Sequence, residues 1–137
     1  MGDVKALTRS FLDEISSGTD IDAAVDKYLA EDFVEHEEVP GMDNTRETPR
    51  VLFKMMHAAF PDFRIDIQDL IADGDKVAAR FTMGGTHQGE FMGMPASGAV
   101  VTIPVIDIFH FRGDQCVAHW GLMDTPAMME QMGAGSG

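Results

Sequence analysis

Positive charge is scarce in this chain: ten Lys and Arg stand against 23 Asp and Glu, for a formal net charge of −13 over 137 residues. Such a balance repels phosphate, so neither nucleic acid nor an anionic membrane surface is expected as a partner. The single cysteine, Cys116, cannot close a disulfide within the chain and has no neighbours at zinc-ligand spacing. On an apolar strand it is expected to be buried and inert. No run of about 18 apolar residues occurs, so nothing is expected to span a membrane. The opening MGDVKALTRS lacks the apolar centre of a signal peptide, and Ala6 stands where a myristoylation signal wants Ser or Thr. The expected address is cytoplasmic. Nucleophile elbow, phosphate loop and metal-ligand set are all missing, so no cofactor and no metal are expected.

What is present is a 45% hydrophobic chain, long enough for one core of its own. We expect a single domain over residues 1–132 with a flexible tail at 133–137. In residues 4–17, Val4, Leu7, Phe11, Leu12 and Ile15 share one helical stripe, and Gly18 is a natural stop. A second helix is expected from a cap at Asp20 to the acidic pair Glu31-Asp32, and residues 33–38 read as a short extended piece. A third helix starts between Thr45 and Pro49, buries Leu52, Phe53, Met55, Met56, Ala59 and Phe60, and ends at Pro61.

From residue 63 the period changes to two. Ile65 and Ile67 alternate with Asp66 and Gln68, a turn falls at Asp73-Gly74-Asp75, and VAARFTMGGTH follows as the next strand. GEFMGMPASG has too much Gly and Pro for a central strand. Residues 101–124 then read as two long strands joined at Gly113-Asp114, with one closing turn at 125–132. Helices before a meander of about four strands predict an α+β domain, the helices laid on one face of a curved sheet that encloses an apolar interior.

Asp107 and His119 are the anomalies of that last, apolar stretch. An unpaired carboxylate is costly to bury, so one kept in such a strand is paired, exposed or at work. Their relation depends on the hairpin. A three-residue turn, Gly113 to Gln115, pairs Phe111 with Val117, Phe109 with His119 and Asp107 with Gly121, all on one face. A two-residue type II′ turn beginning at Gly113 puts Asp107 beside Trp120 instead.

The segments AFPDFRIDIQDLIADGDKVAARFTMGGTHQGEFMGMPASG and IDIFHFRGDQCVAHWGLMD resemble the SnoaL-like polyketide cyclases of the nuclear transport factor two superfamily, most specifically in AFPD (59–62), GTHQGEFMGMP (85–95) and the HW at 119–120. The resemblance implies a cone-shaped α+β barrel with one deep pocket, assembled in dimers or tetramers and without metal. In the family's cyclases an acidic residue two places after a histidine of the last strand exchanges the proton of an aldol ring closure. Here the histidine is His119, but Gly121 follows it, and a second family histidine, on the preceding strand, falls at Asp107. With Asp107 opposite Gly121, the carboxylate has crossed to the facing strand. This comparison favours the three-residue turn, which we take.

The resulting expectation is an enzyme that moves a proton next to the carbonyl of a small, apolar, polyketide-like compound, by isomerisation, cyclisation or elimination. Asp107 acts as base or as orienter of His119, which titrates near neutrality, and the apolar wall raises the carboxylate pKa. Candidate substrate-binding residues are Ile15, Glu35, His36, Leu52, Met56, Met83, Met92, Val105, Phe109 and Gly121. Each polar group also has a plainer reading: Asp107 as a structural acceptor, His119 as a satisfied core histidine, Glu35 and His36 as a solvated edge. His87 is expected to bond a carbonyl, His110 to face outward and Asp124 to cap the turn after it. The alternative function is a binder of a hydrophobic metabolite, its wall made adaptable by Met55, Met56, Met83, Met92 and Met94. A pure subunit scaffold predicts a pocket packed shut.

Overall fold

Helix α1 (Val4–Ser17) begins where the Asp3 carboxylate accepts the Lys5 and Ala6 N–H groups and ends where Gly18 turns left-handed at φ 67°, as its apolar stripe predicts. Helix α2 (Ile21–Tyr28) is capped by Asp20, whose side chain accepts the Ala23 N–H. It stops before the acidic pair that was expected to close it. Leu29, Ala30, Phe33 and Glu35 are buried in strand β1 (Leu29–Glu35), and Asp32 holds Arg112 across the sheet at 2.9 and 3.0 Å. Helix α3 (Glu47–Ala59) follows, with the Thr45 hydroxyl accepting the Glu47 N–H at 3.2 Å.

Strands β2 (Arg64–Asp73), β3 (Lys76–Thr86), β4 (Val100–Arg112) and β5 (Gln115–Met123) form the meander, and α4 (Thr125–Gln131) closes the chain. Asp124 caps α4 through the Ala127 N–H, as expected. The computed structural model describes residues 3–37, 39 and 41–133; the expected tail, apart from Gly133, lies outside them, as does Glu38 of the extended piece. No helix among the described residues is long and apolar enough to cross a membrane.

The sheet order is β1-β5-β4-β3-β2. It curves without closing, so the α+β class holds while the barrel stays open between β1 and β2. β1 is the added fifth strand and lies parallel to β5, with Val34 beside Ala118 and Glu35 beside His119. Its partner is more than 80 residues away in sequence, which is why local periodicity reads it only as a short extended piece.

The β4–β5 hairpin combines both expected registers. Arg112 pairs with Gln115 across a two-residue turn, and Gly113 takes φ 63°, the type II′ choice. Phe111 then faces Cys116, but His110 faces Ala118. Val117 is therefore an extra residue, a β-bulge, and beyond it Phe109 pairs with His119 and Asp107 with Gly121. The turn is the two-residue one; the bulge restores the register that the three-residue turn was invoked to give.

Along β4, burial alternates without a break until His110, with Val101, Ile103, Val105, Asp107, Phe109 and Phe111 facing the helices. Their core partners include Phe11, Leu12 and Ile15 of α1 and Leu52 and Met56 of α3. The opposite face leaves Ile106 62% and Leu122 85% exposed, with Ile108 and Trp120 beside them, more apolar surface than scattered single residues would give.

Candidate functional site

Strand alternation brings three polar side chains to the concave face. β4 contributes Asp107, β5 contributes His119, and β1 contributes Glu35, all less than 10% exposed. His119 lies between the two carboxylates. Its Nδ1 is 2.6 Å from Glu35 Oε1 and its Nε2 is 3.0 Å from Asp107 Oδ2. The second approach is a charge contact rather than a straight hydrogen bond, because the N–H direction misses the oxygen.

Past the end of β1 the chain keeps its alternation for two more residues. His36 turns outward, stacks on Trp120 with ring centroids 4.6 Å apart, and donates its backbone N–H to His119 O at 2.9 Å. Glu37 turns inward again and donates its backbone N–H to Glu35 Oε1 at 3.1 Å. Its carboxyl faces Asp107, His119 and Glu35.

These groups sit on the floor of a narrow cleft with a free interior of about 50 Å³. Phe11 and Leu12 of α1, Leu29 and Phe33 of β1, and Thr48, Pro49, Leu52 and Phe53 of α3 form one side. Phe81, Met83, Val105, Phe109 and Met123 of the sheet form the other, with Val39 at the β1 end.

Three buried polar atoms on this cleft have no hydrogen-bond partner: Asp107 Oδ1, His119 Nε2 and, on the helical wall, Thr48 Oγ1. Buried polar groups are nearly always satisfied, so three orphans on one cleft mark a place where a ligand can complete them.

The glycine opposite Asp107 leaves the carboxylates their room. A methyl group at position 121 would lie 2.2 Å from Asp107 Oδ1 and 2.7 Å from Glu37 Oε1.

The electrostatics follow from this packing. Burial alone would lower the His119 pKa, but the charges and contacts of Asp107 and Glu35 outweigh it and push it up to about 10. The two carboxylates thus hold the His119 proton more tightly than that of a free imidazole. For Glu37, burial and then the Asp107 and Glu35 charges push the carboxyl up to about 7, against the pull of His119.

Ligand atoms of Glu37, Asp107 and His119 lie within 4.8 Å of one another, a spacing that a divalent ion could bridge. A protonated imidazole has no lone pair to give a metal, however, and two flanking carboxylates keep this one protonated. An ion bound there would have to displace that proton.

Of the residues singled out in the sequence, the cleft gathers Asp107, His119, Glu35, Leu52, Met83, Val105 and Phe109, with Gly121 behind the carboxylates. It leaves out four. Ile15 and Met56 are packed into the core at 0% and 1% exposure, His36 faces the other side of the sheet, and Met92 projects from the 87–99 loop at φ 50°. Glu37, Thr48 and Phe81 were not anticipated. Glu37 had a signal in the period-two pattern of FVEHEE, which places Phe33, Glu35 and Glu37 on one face.

Elsewhere, His87 Nδ1 meets Ser97 Oγ at 2.9 Å rather than a carbonyl, and His110 faces outward to Asp75 at 3.0 Å. Cys116 is buried, with its thiol pushed up to about 12 by that burial.

The SnoaL-like polyketide cyclase family model matches residues 6–132, the whole span that builds this sheet and cleft. The chain belongs to that family. No curated protein sequence matches it closely enough to count as a relative. Solved SnoaL-like structures agree with it throughout. TsrD from Streptomyces laurentii shares 29% identity over 96% of this chain and 95% of its own, with a TM-score of 0.84. IdmH from Streptomyces antibioticus, a candidate polyketide cyclase, shares 27% over 96% and 99%, with a TM-score of 0.82. AclR from Streptomyces galilaeus, a candidate hydroxylase, shares 26% over 95% and 80%, with a TM-score of 0.81. The SnoaL-like fold is thus accompanied by different named chemistries, and this chain's own reaction has to be argued from its cleft.

Proposed function

We propose that this SnoaL-like protein catalyses proton transfer beside the carbonyl of a small, apolar, polyketide-like compound, without a cofactor. The observation that carries the reading is the unpartnered Asp107 Oδ1 at the floor of an apolar cleft. In this reading Asp107 is the base that takes the proton from carbon. His119, tied to Glu35, holds Asp107 in place beside the substrate. Thr48 offers its hydroxyl to a second oxygen of the substrate. Water excluded by the aromatic walls strengthens each of these interactions.

A simple apolar ketone, 2-tetralone, tests this. In D2O the protein is expected to accelerate exchange of its α-hydrogens, saturably, as followed by proton NMR. A tetralone that binds the protein yet exchanges no faster than in buffer would overturn the proposal and favour a plain binding role. That alternative drew on a methionine-rich wall, but of Met55, Met56, Met83, Met92 and Met94 only Met83 lines the cleft.

Gly121→Ala supplies a second check. Both atoms that a new methyl group would strike first are ends of flexible side chains, so Asp107 and Glu37 swing aside and the backbone stays. Exchange is expected to fall about tenfold or more, with the urea midpoint nearly unchanged. Full activity would mean that the two carboxyls need not sit where they do.

The partner expected for the outer face is a second copy of this chain. Ile106, Ile108, Trp120 and Leu122 are exposed there, and the shallow groove that they line is mostly apolar, with Asp124 at its edge. A two-fold axis would set each patch on its equivalent. Light scattering should give a dimer mass that falls to the monomer in Leu122→Lys; a monomeric wild type rules this out.

A further inference from the structure

The cleft holds more carboxyls than its one cation can serve. Glu35 and Asp107 flank His119, and that trio already carries one net negative charge. Glu37 is the third carboxyl. The charged groups around it are Asp107 of β4, His119 of β5 and Glu35 of β1. From α3 the cleft receives Thr48, Pro49, Leu52 and Phe53, none of them charged. A second uncompensated anion in this apolar space is costly, so Glu37 keeps its proton where an exposed glutamate would lose it. Burial and neighbouring charge both act in that direction.

We infer that Glu37 is the acid partner of Asp107, a catalytic group that hands its proton to the substrate's carbonyl oxygen while Asp107 takes one from the adjacent carbon. This deepens the reading above and rests on it. Two observations support the pairing. Glu37 Oε1 and Asp107 Oδ1 both converge on the space over Gly121, at 2.7 and 2.2 Å from the point where a β-carbon would be. Asp107 Oδ1 is also orphaned, so it remains free to accept.

The step balances within the pair. Asp107 carboxylate forms an O–H bond as the substrate C–H bond breaks. The C–H electron pair becomes the new C=C π bond, and the carbonyl π pair moves onto oxygen. Oxygen takes the Glu37 proton, leaving Glu37 as carboxylate. Ketone has become enol, one carboxyl has gained a proton and the other has lost one, and the total charge of the cleft is unchanged. Reversal at a different carbon completes an isomerisation.

The pairing also narrows the substrate class. An acceptor and a donor side by side suit a carbonyl compound whose acidic C–H and carbonyl oxygen are neighbours, as in an enolisable β-dicarbonyl, better than an epoxide. The same arrangement explains why the family's usual acid position can be a glycine here: the space it vacates is shared by Asp107 of β4 and Glu37 just past β1.

Two measurements separate this inference from the proposal on which it rests. Exchange of 2-tetralone in Glu37→Gln is expected to fall about 30-fold with its binding constant unchanged, because glutamine can still hold the oxygen but cannot release a proton to it. In ligand-free protein carrying ¹³C-labelled glutamate, one carboxyl resonance should titrate near neutrality and disappear in Glu37→Gln. If the variant exchanges tetralone as fast as wild type does, the acid role is wrong while the base role of Asp107 stands. If wild type shows no exchange at all, the proposed function fails. The carboxyl titration then decides whether Glu37 still holds a proton at neutral pH, and a midpoint in the ordinary glutamate range overturns the inference by itself.

Discussion

Asp107→Asn is expected to slow tetralone exchange by about 10³-fold while leaving the fold and the binding constant intact. Asparagine matches the size of aspartate and can still sit opposite Gly121, but it cannot take a proton from carbon. The change also removes one of the two charges that flank His119, so the imidazole loses part of what holds its proton. Glu35 remains at 2.6 Å from Nδ1, which keeps the ring in place. Circular dichroism and a denaturant midpoint close to wild type would show that the loss lies in chemistry. Exchange within threefold of wild type would remove Asp107 from the mechanism.

The second large effect is on stability. In the unfolded chain an imidazole has a pKa near 6.5, and in the folded one His119 is pushed up to about 10. A raised pKa means that the native state holds a proton that the unfolded state releases, so stability must fall as the pH rises between those values. The contribution is whole below about pH 6.5 and is gone by about pH 10. Its size is on the order of a few kcal/mol, from the span between the two pKa values.

Glu37 adds to the same trend lower down. Between its ordinary 4.5 and about 7, the native carboxyl keeps a proton that the unfolded one gives up. Its partial exposure makes that contribution smaller. Urea unfolding at pH 7, 8.5 and 10 should therefore show a steep loss in wild type that is much shallower in His119→Gln. Should that variant be too unstable to measure, Glu35→Gln removes one flanking charge and should flatten the same limb. Parallel slopes in wild type and variant would mean that His119 is not held as a cation.

Much of this was legible in the sequence, for reasons that differ by element. α1 announced itself through a five-residue apolar stripe between Asp3 and Gly18, and β4 through strict alternation. Both signals are local, and so is the departure from apolarity that marks Asp107 and His119. What the sequence concealed depended on partners far along the chain. The end of α2 was misplaced because Glu31 and Asp32 resemble a helix terminus, whereas Asp32 is a strand residue whose partner is Arg112. Glu37 was overlooked because an acidic run reads as solvated edge unless one knows that β1 lies beside β5.

The electrostatics were half visible. A buried Asp–His pair could be expected to titrate near neutrality, but a second carboxylate on the far side of the ring changes the sign of the outcome. It pushes the imidazole pKa up rather than leaving it near neutrality, while burial pushes the Glu37 carboxyl up to about 7. The cleft walls were anticipated where β-strand parity fixed them, as at Val105 and Phe109. On the helices Leu52 lines the cleft, whereas Ile15 and Met56 are packed into the core.

The extra residue at Val117 has a cost that hydropathy makes plain. Were β5 to slide past it, Trp120 and Leu122 would turn toward the interior and His119 and Gly121 toward solvent, a swap that greasiness alone would favour. The strand is thus frustrated: its oily side chains pull one way, and the imidazole clasped between two carboxylates pulls the other. Whatever chemistry the cleft performs, its polar residues also serve as the clutch that keeps the last strand from slipping.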